Sequence, residues 1–148
     1  METDQHSKRI VQYMYENDAF SKWLGIEVLE VRPGFCRLQM TVRDEMTNGF
    51  GIAHGGITYS LADSALAFAS NGHGVQSVSI ETSISHTSPV RSGMKLVALA
   101  EEKNLTRGTG LYYISITDEE GNILALFKGT VYRTGKEWKF QDSWNEKT

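Results

Sequence analysis

Cysteine is nearly missing from this chain: Cys36 is the only one in 148 residues. A single cysteine closes no intrachain disulfide and builds no zinc cage, and such scarcity fits a reducing compartment. An excess of positive charge is missing as well. The formal net charge is −3, the pI is near 5.8 and no block of Lys and Arg appears, so nothing points to nucleic acid as a partner. Long apolar runs are absent too. The longest, around Ile57 to Ala69, is too short to span a bilayer and is interrupted by Asp63. Residues 1–17 lack the apolar segment of a signal peptide. A soluble cytoplasmic protein that engages neither membrane nor nucleic acid is expected.

The usual catalytic motifs are missing. The four histidines, His6, His54, His73 and His86, have no H-E-x-x-H spacing, and there is no G-x-S-x-G elbow. No P-loop and no G-x-G-x-x-G occurs. No metal and no resident cofactor is therefore expected.

The informative stretch runs from Asn48 to Gly72. Its first third, Asn48-Gly49-Phe50-Gly51-Ile52-Ala53-His54-Gly55-Gly56, is a polar, Gly-rich loop. From Gly56 it becomes a run of Ala, Leu, Ile and Phe closed by Asn71-Gly72, a pair suited to ending a helix. Being apolar almost all round, a helix over about 56–71 is expected to lie buried in the middle of the domain. One acid, Asp63, sits at its centre.

The rest of the chain is organised around that helix. A helical N-terminal region over about 4–24 puts Ile10, Val11, Met14 and Tyr15 on one face, with a break at Asn17-Asp18. Ile26 to Val31 and Phe35 to Arg43 read as a hairpin turned by Pro33-Gly34, with Cys36, Leu38, Met40 and Val42 inward. After the helix come four strands: 75–87, 95–105, 110–117 and 122–133. In the first of them Val78, Ile80, Thr82 and Ile84 share one side, and Ser77, Ser79, Glu81 and Ser83 the other. A polar tail, ordered only in part, is expected from about 134. Residues 1–148 are expected to form one α+β domain, an antiparallel sheet of five or six strands wrapped around the long helix.

Gly55 and Gly56 open the helix, where backbone N–H groups lack intrahelical partners and the dipole is positive. A carbonyl oxygen gaining negative charge would be stabilised there; equally, the glycines suit a tight turn into the helix. Asn48 and His54 are suited to holding a carbonyl or a water, and equally to capping the loop. Asp63, an acid in apolar surroundings, suits a general base or nucleophile with a shifted pKa, or a structural pairing. Ser64 is its neighbour. Ser79, Glu81 and His86 lie on the long strand, with no face assigned to them. Arg91 and Arg107 stand in exposed loops.

Asn48-Gly49, His54-Gly55-Gly56 and Leu61-Ala62-Asp63 resemble the N-G…H-G-G…L-A-D signature of hotdog-fold acyl-CoA thioesterases, in particular the PaaI type. Met14 to Ala19, Leu24-Gly25-Ile26, Thr109-Gly110 and Ala125 to Gly129 fit the same group, so the resemblance spans roughly residues 14–133. It implies a hotdog fold, aryl- or acyl-CoA thioesters as substrates (coenzyme A being part of the substrate), and a homodimer commonly paired into a tetramer. By position, it makes Asp63 the nucleophile or general base and the Gly55 N–H the oxyanion donor, with His54 and Asn48 holding thioester and water. Ser64 is assigned to the substrate side, and Arg107-Gly108-Thr109, with Arg91, to the CoA phosphates. Phe50, Ala53 and Ile57 depart from the family's usual residues in the loop and helix start. Two rivals stand beside hydrolysis: a hotdog hydratase or dehydratase, and a non-catalytic acyl-CoA binding module.

Geometry adds one demand. Gly55 and Asp63 are eight positions apart, roughly 12 Å along a helix. Both cannot meet one thioester carbonyl, so a two-fold dimer with composite sites is expected.

Overall fold

The computed structural model describes residues 2–140. Three α-helices and six strands appear among these residues, in the order α1 (Glu2–Glu16), α2 (Ala19–Leu24), β1 (Glu27–Arg32), β2 (Phe35–Thr41), α3 (Gly55–Asn71), β3 (Val75–His86), β4 (Lys95–Leu105), β5 (Thr109–Thr117) and β6 (Ile123–Glu137), with a short 3-10 helix (Asp44–Met46) before α3. The strands form one antiparallel sheet in the order β1-β2-β4-β5-β6-β3, and α3 packs against all six. This is the hotdog fold that the sequence leads one to expect. None of the described helices is long and apolar enough to cross a membrane.

The core follows from the alternation read in the strands. Cys36, Leu38 and Met40 of β2, Leu96, Ala98 and Ala100 of β4, and Ile114 and Ile116 of β5 point at α3 and are buried. From the helix, Leu61, Ala62, Ala65, Leu66, Phe68 and Ala69 fill the same space. Gly129 of β6 makes the fit possible. A Cβ there would stand 2.5 Å from Leu66 Cδ2, so the glycine is the seat into which Leu66 drops.

Three expectations need correcting. First, α3 is not buried all round: Tyr59, Ser60, Asp63, Ser64 and Ala67 form a stripe that is only partly covered. The sheet wraps the helix from one side, and α1 and α2 close only part of the other. Asp63 therefore lies on the open stripe.

Second, β3 does not keep one face throughout. Its pairing with β6 slips between Ser79 and Glu81, leaving Ile80 as an extra residue. A bulge of this kind turns every later side chain to the other face. Ser77 and Ser79 face α3 before it, and Thr82, Ile84 and His86 face it after. Thr82 Oγ1 is 2.5 Å from Tyr59 Oη, while Val78 and Ile80 are left exposed.

Third, the tail does not begin at 134. Residues 134–137 continue β6, and Glu137 pairs with Val75. Trp138 then donates its indole N–H to Asn71 Oδ1 at 2.9 Å and packs edge-on against Tyr13 of α1. Asn71 also exchanges two hydrogen bonds with the Ser77 backbone, which is how the end of α3 is fastened. The left-handed turn after the helix falls at Gly74 rather than Gly72. The rest of the expected tail lies outside the described residues.

Candidate active site

The loop before α3 is shaped by its own polar residues. The Asn48 N–H donates to Ile52 O at 2.8 Å, and Asn48 Oδ1 accepts from the Phe50 N–H at 2.9 Å. With Oδ1 engaged, the carboxamide presents its NH2 group as donor. His54 is the N-cap of α3: its Nδ1 accepts the Gly56 N–H at 2.9 Å. That bond puts the proton of the neutral ring on Nε2 and occupies the Gly56 N–H. The Gly55 N–H has no acceptor among the described residues, so of the two glycine donors it is the one free at the positive end of the helix.

Asn48 and Gly55 line one cavity of about 430 Å³, together with Thr58, His86 and an apolar wall of Ile52, Ala53, Pro89 and Val90. His54 does not line it. Asp63 lines a second cavity, of about 260 Å³, with Met14, Leu66, Ser70, Ser79 and Val131. The two cavities share no residue. Within one chain, the oxyanion-type donor and the acid are therefore apart, as the rise of the helix requires. Two further depressions, on the outer face of the sheet and between α1 and β1, contain none of the candidate catalytic or substrate-binding residues.

The Asp63 carboxyl makes no hydrogen bond or ion pair among the described residues. Burial, and after it the negative charge of Asp18, raise its pKa above the ordinary 3.8. An uncompensated carboxylate in such a place is a stronger base than one in water. Cys36 offers no alternative nucleophile: it is wholly buried and burial pushes its thiol pKa far up.

Several sequence-derived candidates lie elsewhere. Ser64 lines neither cavity; its Oγ is 2.8 Å from Ser21 Oγ, which donates at 2.6 Å to Asp18 Oδ2. It fastens α2 to α3. Arg107, Gly108 and Thr109 sit at the β4–β5 turn, where the Arg133 N–H donates to Gly108 O and Arg133 Nη1 to Thr106 O. Arg91 is exposed beyond the other end of β4, next to Val90 of the first cavity. The ten steps from Lys95 to Leu105 separate the two arginines by roughly 33 Å, so one chain cannot bring both to one ligand.

Sequence reasoning left two residues of the first cavity without a role, Thr58 and His86. Thr58 Oγ1 donates to Gly55 O at 3.1 Å and is 3.3 Å from His86 Nδ1. His86 Nε2 is 3.1 Å from where a Cβ on Gly55 would be, so the ring stands in the space that glycine leaves open. Only the bulge at Ile80 brings it there.

Residues 50–125 match the thioesterase superfamily. Acyl-coenzyme A thioesterase PaaI of Escherichia coli is 39% identical over 122 residues, covering 82% of this chain and 87% of its own. Human acyl-coenzyme A thioesterase 13 is 30% identical over 115 residues, covering 76% and 81%. The solved structure of the E. coli PaaI protein, from the phenylacetic acid degradation operon, superposes with a TM-score of 0.88 at 36% identity. That match covers 90% of this chain and 97% of the other.

Proposed function

The chain belongs to the thioesterase superfamily as a hotdog-fold thioester hydrolase of the PaaI type, and we propose that it hydrolyses aryl- or acyl-CoA thioesters in a site shared between two copies. Phenylacetyl-CoA or hydroxyphenylacetyl-CoA is the substrate kind we infer, since the E. coli relative comes from the phenylacetic acid degradation operon. The apolar wall of Ile52, Ala53, Pro89 and Val90 suits an aryl or alkyl acyl group.

The observation that carries this reading is the separation of the two reactive groups. A thioester carbonyl at the Gly55 N–H is polarised by a free donor at a helix N-terminus, which binds the oxygen more tightly as it gains charge. Its carbon then needs a base, and the Asp63 of the same chain serves another cavity. A second copy, running antiparallel along the open stripe of α3, supplies its own Asp63. Each site then has Asn48 and Gly55 from one chain, on a helix start that His54 caps, and Asp63 from the other, twice per dimer. The same two-fold brings Arg91 of the first chain and Arg107, Gly108 and Thr109 of the second to one end. The CoA phosphates are then flanked by cations that a single chain holds far apart. A pair of such dimers makes the expected tetramer.

Mixed dimers test the sharing. Asn48→Ala and Asp63→Ala chains, each inactive alone, are combined under conditions that allow subunit exchange. In every heterodimer one site carries both lesions and the other carries neither, so thiol release should climb well above that of either parent. Verified heterodimers as inactive as the parents would rule the shared site out. Thiol release from a panel of aryl- and alkyl-CoAs decides the acyl preference.

A further inference from the structure

We propose that His86 is a further catalytic residue of this hydrolase, its Nε2 holding the attacking water beside Gly55; this rests on the reading above that the Gly55 cavity receives the thioester carbonyl. The neighbours of the ring determine which of its nitrogens carries the proton. Gly55 O, at 3.1 Å, is the nearer acceptor for the single Thr58 hydroxyl hydrogen; with the hydrogen placed there, Thr58 Oγ1 is an acceptor toward His86 Nδ1, 3.3 Å away. Nδ1 therefore bears the hydrogen in the neutral ring, and Nε2 keeps its lone pair. Nε2 stands over Gly55, 3.1 Å from where a Cβ would be, in the cavity that Asn48 also lines.

A lone pair at that point repels an oxyanion and suits a proton. The group in the reaction with protons to offer is the water. Water attacking a carbonyl carbon needs acceptors for both of its hydrogens if its own lone pair is to point at the carbon. Asp63 of the second copy takes one as a base, and His86 Nε2 holds the other. The water oxygen bonds to the carbonyl carbon, the carbonyl electron pair moves to the oxygen at the Gly55 N–H, and the first proton passes to Asp63. Collapse breaks the C–S bond, leaves the electron pair on sulfur, and returns the proton from Asp63 to the thiolate.

The chain itself shows how the ring comes to be placed there. Before the bulge at Ile80, the odd-numbered residues Ser77 and Ser79 face α3; an unbroken strand would have sent Ser85 inward and His86 outward. The extra residue reverses that phase and delivers His86 to the cavity.

The test compares the full-length wild-type enzyme with three His86 variants, using a CoA thioester that the wild type hydrolyses. His86→Phe keeps a ring and removes both nitrogens. Its kcat should fall by about 10²-fold, the loss expected when a reacting group is misplaced, with KM within about twofold because the substrate contacts remain. His86→Gln, which restores an acceptor, should recover part of that loss. His86→Ala should be rescued in part by added imidazole, an effect that mere packing would not produce. A folded His86→Phe variant with wild-type kcat overturns the inference, as does a loss that neither Gln nor imidazole repairs. Failure of the wild type to release thiol from any thioester overturns the underlying reading instead.

Discussion

Asp18 on the α2 cap raises the proton affinity of Asp63 on α3. The two carboxyls belong to different helices, joined by the chain of hydrogen bonds from Asp18 through Ser21 to Ser64. Burial is the larger cause of the raised Asp63 pKa, and the Asp18 charge adds to it. A short helix far from Asp63 in sequence thus takes part in tuning its acidity.

Asp18→Asn should shift the pH dependence of hydrolysis. In the proposed reaction Asp63 acts ionised, so kcat/KM of the wild type should fall as pH drops through its raised pKa. Asparagine keeps the helix cap but removes the charge, so the acid limb should move to lower pH. The move is partial, because the contribution of burial remains. A pH–rate profile of both proteins measures it; an unmoved limb would show that Asp18 does not act on the base.

Asp63→Asn should lower kcat by about 10²-fold or more, as loss of a positioned base does. Its stability should move the other way. In the folded chain the Asp63 pKa lies above the ordinary 3.8, so the folded state holds that proton more tightly than the unfolded state. Stability contributed by this group is therefore complete below about 3.8 and is lost as pH rises through the folded pKa. At neutral pH the amide should match or exceed the wild-type Tm, and the difference should vanish in acid. Thermal melts at the two pH values decide, and a lower Tm at neutral pH would mean that the carboxylate has a partner.

Arg107→Ala should raise KM and leave kcat nearly unchanged. A contact to a CoA phosphate is equally strong in ground and transition states, so its loss weakens binding without slowing the chemical step. The effect should shrink at high ionic strength. Steady-state kinetics at low and high salt are the measurement; an unchanged KM at low salt makes Arg107 a solvated surface charge.

Gly129→Ala should destabilise the fold by about 1–3 kcal/mol, the usual range for overpacking a core. The new methyl would stand 2.5 Å from Leu66 Cδ2 and 3.1 Å from Phe127 Cε1, both in the buried core. Denaturant titration gives the number, and a midpoint unchanged from wild type would mean that α3 can lift from the sheet freely.

Much of the site's local structure was legible in the chain. The acid within an apolar helix, the glycines at its start and the alternation in β2 each announce themselves at short range. What local pattern did not reach depended on single-residue events or on what lay opposite. Ser64 is adjacent to Asp63, yet helical geometry turns it to Ser21. His54 carries the right chemistry, but the nearest donor is its own helix's Gly56 N–H. Thr134 to Glu137 look like a polar tail because β6 beyond Arg133 has little apolar content, while the partner strand still offers backbone pairing.

What the sequence determined by itself is whatever depends on period and on local bonding: a helix at α3, strands on either side, a loop with a free donor, and one acid eight residues beyond Gly55. Those follow from side-chain spacing and from backbone groups that must be satisfied within a few residues. Only the tertiary structure decided which groups meet. The bulge at Ile80 exchanges the faces of β3 and brings His86, not Ser85, to the Gly55 cavity. The one-sided wrapping of the sheet leaves Asp63 on an open stripe in a cavity of its own. Such outcomes rest on register and on long-range packing, and a one-residue slip is enough to reverse them, so no local pattern encodes them.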